Sequence, residues 1–159
     1  DCPAADTAQT RRALPDVSKH YQESRMYKYV AAYAGTAIVM VALDMLWLGV
    51  IAKPLYQQGI GHLMTDRPNV GIAVMFYLLY ALGVVIFAVS PQHGGSDWTS
   101  TLTMGALFGL FAYATYDLTN LATLRDWPLH LSLIDMAWGS TISAASAVGG
   151  KAALDWASR

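Results

Sequence analysis

Four long apolar segments constrain the fold of this chain more than any other feature. They cover residues 29–51, 70–89, 102–124 and 131–148. A helix rises about 1.5 Å per residue, so helices of this length match a hydrocarbon core about 30 Å thick. Charged residues make up 13% of the chain, and a soluble domain has about 25%. We therefore predict an all-α integral membrane protein, with four transmembrane helices in an up-down bundle.

The fourth segment is the most polar of the four. It holds Asp135 and several hydroxyl side chains, among them Ser132, Ser140 and Ser143. Polar side chains are unfavourable against lipid, so we expect this helix to pack inside the bundle.

The distribution of Lys and Arg predicts the orientation of the bundle. Of the 10 basic residues, seven lie in the N-terminal segment, the loop after the second span and the C-terminal tail. Basic residues favour the cytoplasmic, matrix or stromal side. Both termini are therefore expected on that side.

Residues 1–25 are expected to form an extension outside the membrane, ahead of a transmembrane domain at 26–150 and a tail at 151–159. The extension has four basic and four acidic residues, so it is not itself an organelle presequence, which would be poor in acids. Because the chain begins at Asp1, we interpret it as either the remainder after a presequence is removed or an artificial start. We expect residues 1–25 to contact a neighbouring protein surface.

Intramembrane polar residues form the candidate site. Asp44, Asp117 and Asp135 fall at a similar depth, about 7–11 Å below the outer surface when helical rise is applied to the predicted spans. A helix also brings Asp117 and Asn120 together. The candidate cluster is Asp44, Tyr113, Tyr116, Asp117, Asn120 and Asp135.

Two further patterns concern helix packing. Asp44-x-x-Trp47 is repeated as Asp135-x-x-Trp138, so Trp47 and Trp138 are candidate paired aromatics on antiparallel helices. Small residues at Gly105 and Gly109, and again at Gly139 and Ser143, would let helices approach closely.

Three interpretations of the buried acids are open. They pin helices together through hydrogen bonds, they line a polar cavity for a small ligand, cation or proton, or they hold a metal such as Mg²⁺ or Ca²⁺. No dense acidic motif, histidine pair, nucleophile elbow or phosphate loop accompanies them, so we assign no catalytic residue, metal or cofactor. Helix pinning is the interpretation we favour.

Several motifs together resemble a known family. They are Asp44-x-x-Trp47-Leu48-Gly49, Phe76-Tyr77-x-x-Tyr80, Gly105-Ala106-x-x-Gly109-Leu110, Thr115-Tyr116-Asp117-Leu118-Thr119-Asn120, Trp127-Pro128 and Asp135-x-x-Trp138-Gly139. Over roughly residues 26–150 the chain resembles the bacterial predicted membrane proteins called domain of unknown function 2177. The resemblance implies four membrane helices and no particular reaction.

The N-terminal extension departs from that family and motivates a functional hypothesis. We expect an accessory, supernumerary subunit with a structural or assembly role in an energy-transducing membrane complex, such as one of the respiratory chain. Its partners would be the lipid bilayer and other membrane subunits, the latter partly through residues 1–25. The mitochondrial inner membrane is favoured and the bacterial inner membrane is the alternative. With a net charge of −1, nucleic acid is not an expected partner.

The alternative function is a stand-alone carrier of a small molecule or ion, or a membrane enzyme. Its pocket would be acidic, near the outer surface, and lined by Asp44, Asp117, Asn120 and Asp135. Catalytic activity is not the favoured expectation.

Overall fold

In the computed structural model, the backbone is described for residues 17–92 and 97–159, and the side chains for 25–91 and 97–159. Every regular element in these ranges is helical. The helices are α1 (Val17–Leu46), α2 (Lys53–Ile60), α3 (Val70–Val84), α4 (Trp98–Thr123) and α5 (Leu129–Trp156). α1 continues as wider π-helical turns at Trp47–Ile51, and α3 does so at Val85–Val89.

Local capping explains where the helices begin. The Asn69 side chain accepts a hydrogen bond from the Ile72 N–H at 3.2 Å, which caps α3. Asp97 caps α4 by accepting from the Thr99 N–H at 3.0 Å. Pro54 stands in the first turn of α2, where its missing N–H has no consequence.

Helix α5 packs against α1, α3 and α4, and its contacts set the helix directions. Along α1, Gly35 approaches Gly149 near one end, and Asp44 accepts from Trp138 near the other. Along α4, Gly105 approaches Ala147, and Gly109 approaches Gly139. In both cases the residue numbers increase along α1 or α4 while those of the contacting residues decrease along α5. Helix α5 therefore runs antiparallel to α1 and α4.

Several polar side chains are buried while many large apolar side chains point outward, which departs from the usual pattern of a soluble domain. Thr101, Ser132, Ser143 and Ser146 are fully buried, together with Asp117. Large apolar side chains of α3 point outward, among them Ile72 (57% exposed) and Leu79 (61% exposed). An apolar surface of this extent marks contact with lipid or protein rather than water.

Two helices within the described part of the chain are long and apolar enough to cross a membrane, Arg25–Ile51 and Val70–Val89. Helices α4 and α5, at 26 and 28 residues, are also long enough to cross a membrane, but their polar side chains lower their hydropathy. Many of the polar residues of α5 are buried, among them Ser132 and Ser143, and α4 buries Asp117.

The helices extend beyond the predicted spans at both ends of the chain. α1 begins at Val17, inside the segment predicted as an extension, and the rest of that segment lies outside the described residues. α5 runs to Trp156, through most of the predicted tail. Lys151 is fully buried there; it lies 3.2 Å from Asp155 and 5.2 Å from the centre of the Trp98 ring. These partners allow the helix and its burial to continue past the predicted end of the span at Val148.

Candidate functional site

A cavity of about 540 Å³ lies at the end of the bundle where α2 joins the four long helices. Its wall is mostly aromatic, and we call it the aromatic cavity. The aromatic lining residues are Trp47, Tyr56, Phe76, Tyr77, Tyr80, Tyr113, Tyr116 and Trp138. The other lining residues are Asp44, Leu48, Ala73, Ala112 and Asp135.

Asp44 is held by donors from two other helices. The Tyr77 hydroxyl of α3 donates to Oδ2 at 2.5 Å, and the Trp138 indole N–H of α5 donates to Oδ1 at 3.2 Å. Asp44 itself is 5% exposed. One carboxylate on α1 therefore joins three helices, because hydrogen bonds to a charged acceptor are stronger than neutral ones.

Asp135 is held by a residue of the short helix α2. The Tyr56 hydroxyl donates to Asp135 Oδ1. Burial and, as a smaller cause, this hydrogen bond raise the pKa of Tyr56 well above its ordinary value. The phenol therefore keeps its proton and remains a donor. The contact attaches α2 to the end of α5 and completes that side of the cavity.

The two tryptophans of the repeated Asp-x-x-Trp pattern lie face to face. The rings of Trp47 and Trp138 are stacked with centres 4.3 Å apart and planes 7° from parallel. The symmetry is incomplete, because Trp138 donates to Asp44 whereas the buried Trp47 N–H points toward Tyr56 without hydrogen-bond geometry.

Asp117 lies outside the wall of the aromatic cavity. It is fully buried, and neither carboxylate oxygen accepts a hydrogen bond from a described residue. The Ser132 hydroxyl is close, but it is not in hydrogen-bond geometry with Asp117, and its oxygen accepts from Trp127 at 2.9 Å. Asn120 is also absent from the wall. Of the predicted six-residue cluster, Asp44, Tyr113, Tyr116 and Asp135 therefore line the cavity, whereas Asp117 and Asn120 do not.

The small residues singled out by spacing all lie between α4 and α5. A Cβ added at Gly105 would come within 2.9 Å of the Ser143 carbonyl oxygen, and one at Gly109 would overlap the Gly139 carbonyl. A Cβ at Gly139 would overlap the ring of Tyr113. Gly139 therefore makes room for an aromatic ring of the cavity wall, and these stripes serve contacts within the chain.

Sequence reasoning missed Tyr56, Tyr77 and Tyr80 as site residues. Tyr77 and Tyr80 are the polar side chains of an otherwise nearly apolar second span, a signal that points to them. Tyr80 shares a hydrogen bond of 2.8 Å with Ser143 of α5. Tyr56 gave no such signal, because it lies in a short loop helix whose position depends on tertiary contacts.

The cavity wall has two carboxylates and no Lys, Arg or His among the described lining residues. The basic and histidine side chains of the loops, at Lys53, His62, Arg67, Arg125 and His130, are not part of it. Within residues 25–91 and 97–159, no group of three or more His, Cys, Asp or Glu side chains is placed to hold a metal.

The comparison with protein families identifies a family of membrane proteins. The family of predicted membrane proteins called domain of unknown function 2177 matches residues 29–152. No curated protein and no solved structure matches the chain. The matched segment includes every residue that lines the aromatic cavity. The chain therefore belongs to this family of predicted membrane proteins.

Proposed function

We propose that this chain is a four-span membrane bundle, with both termini on one side, that binds a small molecule in the aromatic cavity. The observation that supports it is the cavity itself. Its volume of about 540 Å³ lies within the range of about 300–1,000 Å³ usual for small-molecule sites. Its largely apolar wall with a few convergent polar groups has the composition of such sites.

Two properties of α4 and α5 support their inclusion as the third and fourth spans. Both are as long as the two apolar spans, and their most polar buried side chains, such as Asp117 of α4 and Ser132 and Ser143 of α5, face the interior. Membrane helices associate through small residues and interhelical hydrogen bonds. The Gly105–Gly109 contact with α5 and the bond from Ser140 Oγ to the Ala106 carbonyl, at 3.0 Å, are of this kind.

Binding is favoured over chemical conversion as the role of the carboxylates. Asp44 accepts hydrogen bonds on both oxygens, and Asp135 accepts one from Tyr56. A general base must be free to take a proton from its substrate. Carboxylates fixed by indole and phenol donors are better suited to provide charge and shape.

A cavity-filling variant tests this proposal. Ala112 lines the cavity, and Ala114 lies on the outer face of the same helix. The probes are choline and its uncharged analogue of the same shape, 3,3-dimethylbutan-1-ol, added to protein in dodecyl maltoside. We expect at least one of them to change the tryptophan fluorescence of the wild type and of Ala114→Phe, but not of Ala112→Phe. Equal responses from the two variants would refute a ligand-binding cavity.

The second candidate is the accessory subunit expected from the sequence, and one surface favours it. An open groove of about 410 Å³ follows the outer face of α4 between Phe111 and Thr123. Thr115, Thr119 and Thr123 recur along it at a spacing of four, and small residues at this spacing admit a second helix. Gly105 and Gly109 are already used within the chain, so this groove replaces them as the expected contact.

In the second candidate, the partner complex is an energy-transducing one of the mitochondrial or bacterial inner membrane. Gently solubilised membranes should then contain the 17.2 kDa chain in a large species on native gels. Replacing Thr119 by Phe should release it from that species, whereas Ala112→Phe should not. Migration only as the chain with its detergent would exclude the subunit role.

A further inference from the structure

The charge of the aromatic cavity narrows the class of its ligand. Asp44 and Asp135 are 5% and 4% exposed, and no cationic side chain shares the described wall with them. Buried charges in proteins are normally paired, because an isolated charge away from water is strongly disfavoured. An anionic ligand would add to that charge, and a neutral ligand would leave it unbalanced.

One carboxylate has an oxygen available to a ligand. Both oxygens of Asp44 accept bonds within the protein, from Tyr77 and Trp138. In Asp135, Tyr56 donates to Oδ1, and no described side chain donates to Oδ2. Oδ2 also differs from the oxygens of Asp117, which are both fully enclosed without a partner. Asp135 Oδ2 is therefore the preferred counter-ion for a positively charged group in the cavity.

The aromatic wall distinguishes an organic cation from a bare metal ion. Eight of the lining residues are aromatic, including the stacked Trp47 and Trp138. Aromatic faces attract cations, and cages of such rings recognise alkylated ammonium groups. Hard metal ions need about six oxygen ligands, which two carboxylates held by phenol and indole groups do not supply.

We propose that the aromatic cavity binds an organic cation of the alkylated ammonium class, with Asp135 as its principal counter-ion and Asp44 as a second. The alkyl substituents contact the aromatic faces while the positive charge lies near the carboxylates. This inference rests on the proposed binding function and names its ligand class. The same ammonium chemistry occurs in free metabolite-sized cations and in the headgroups of zwitterionic lipids.

The test compares choline with 3,3-dimethylbutan-1-ol, which differ in charge but not in shape. Titrations follow tryptophan fluorescence in dodecyl maltoside free of added lipid. We expect the wild type to bind choline at least about tenfold more tightly than the uncharged analogue, consistent with the size of cation–π attraction in desolvated sites. In Asp135→Asn, which retains an acceptor oxygen for Tyr56, this preference should fall to within about threefold. Asp126→Asn, which removes an exposed charge from the loop before α5, should retain it.

A third probe, dihexanoylphosphatidylcholine, distinguishes the two sources of the ammonium group. Tighter binding of the short lipid than of choline, again dependent on Asp135, assigns the site to a lipid headgroup. Tighter binding of choline than of the short lipid assigns the site to a free cation.

The outcomes separate this inference from the proposed function. Equal binding of choline and the uncharged analogue, abolished by Ala112→Phe, would support a ligand-binding cavity but refute the preference for a cationic ligand. An unchanged preference in a folded Asp135→Asn would overturn Asp135 as the counter-ion. No binding of any of the three probes would overturn both. The comparison of probes in the wild type remains decisive even where a variant fails to fold.

Discussion

At the scale of single residues, the buried carboxylates differ in their partners although the sequence presents them alike. Asp44 has two donors, Asp135 has one, and Asp117 has none among the described residues. Their common depth in the membrane stays a prediction from the helical rise per residue. The partners were not accessible, because they depend on how each helix is rotated about its axis.

Replacing Trp138 by Phe should lower the free energy of unfolding by about 1.5–3 kcal/mol, because Asp44 would lose a donor to a charged acceptor. Denaturant unfolding in dodecyl maltoside measures the change. Trp156→Phe is the matched control, since Trp156 is 67% exposed. Equal losses in the two variants would mean that the hydrogen bond to Asp44 contributes nothing.

Replacing Asp117 by Asn should leave the unfolding free energy unchanged or raise it by about 1–3 kcal/mol, because a buried acceptor without donors is unfavourable. The same change at Asp44 should be destabilising, since the new amide N–H₂ would face the donors Tyr77 and Trp138. Both variants are measured by the same denaturant titration. A loss at Asp117 as large as that at Asp44 would show that Asp117 has a stabilising partner.

At the scale of helices, contact between α4 and α5 depends on the absence of side chains at a few positions. Gly139 faces the ring of Tyr113, and Gly109 faces the backbone of Gly139. The spacing of small residues indicated helix packing, but it did not show whether the partner was inside the chain or outside it. That distinction needs the three-dimensional arrangement.

Gly139→Ala should lower the unfolding free energy by about 1–3 kcal/mol, the usual result of overpacking a tight interior. Gly61→Ala, where an added Cβ meets nothing within 4 Å, is the control. The double variant Gly139→Ala, Tyr113→Ala also lacks the ring. Its loss of unfolding free energy should be smaller than the sum of the two single losses. Strictly additive losses would show that the added Cβ at Gly139 is not destabilising through the Tyr113 ring.

The stability that Asp97 gives to the first turn of α4 should depend on pH. The hydrogen bond from the Ser100 side chain, with others from the backbone at Ser100 and Thr99, lowers the pKa of the Asp97 carboxyl. Its stabilising effect is therefore present above the ordinary aspartate pKa of about 3.9 and is lost as the pH falls through the lower folded value. Asp97→Asn retains a capping oxygen and should not show this loss. Melting temperatures of both proteins between about pH 6 and about pH 3 measure it; parallel curves would contradict the assignment.

At the scale of the whole molecule, the sequence correctly predicted a helical protein of a membrane family, but it did not predict the helix limits or the cavity between the helices. Hydropathy locates apolar segments well because the bilayer demands them. It does not locate a helix end such as Trp156, which depends on the burial of residues like Lys151. Tyr56 shows the same limitation for the site, because α2 is neither apolar nor long.

A four-span bundle predicts which loops share a side of the membrane. Single cysteines are introduced at Thr65, Thr99, Arg125 and Ser158 in a Cys2→Ser background, and an impermeant maleimide is added to sealed vesicles of known orientation. Thr99 and Ser158 should label from one side, and Thr65 and Arg125 from the other. Labelling of Arg125 from the same side as Thr99 would exclude α4 as a span.

The position of α5 in the chain has a consequence for biosynthesis. α5 follows the other long helices in sequence, yet it provides Asp135, Trp138 and the surface on which α1, α3 and α4 meet. Until α5 has left the ribosome and inserted, Asp44 lacks its indole donor and Tyr56 lacks its acceptor. In the proposed four-span bundle, the three earlier helices therefore lack their contacts with α5 until it inserts, and the cavity is complete only with the last helix.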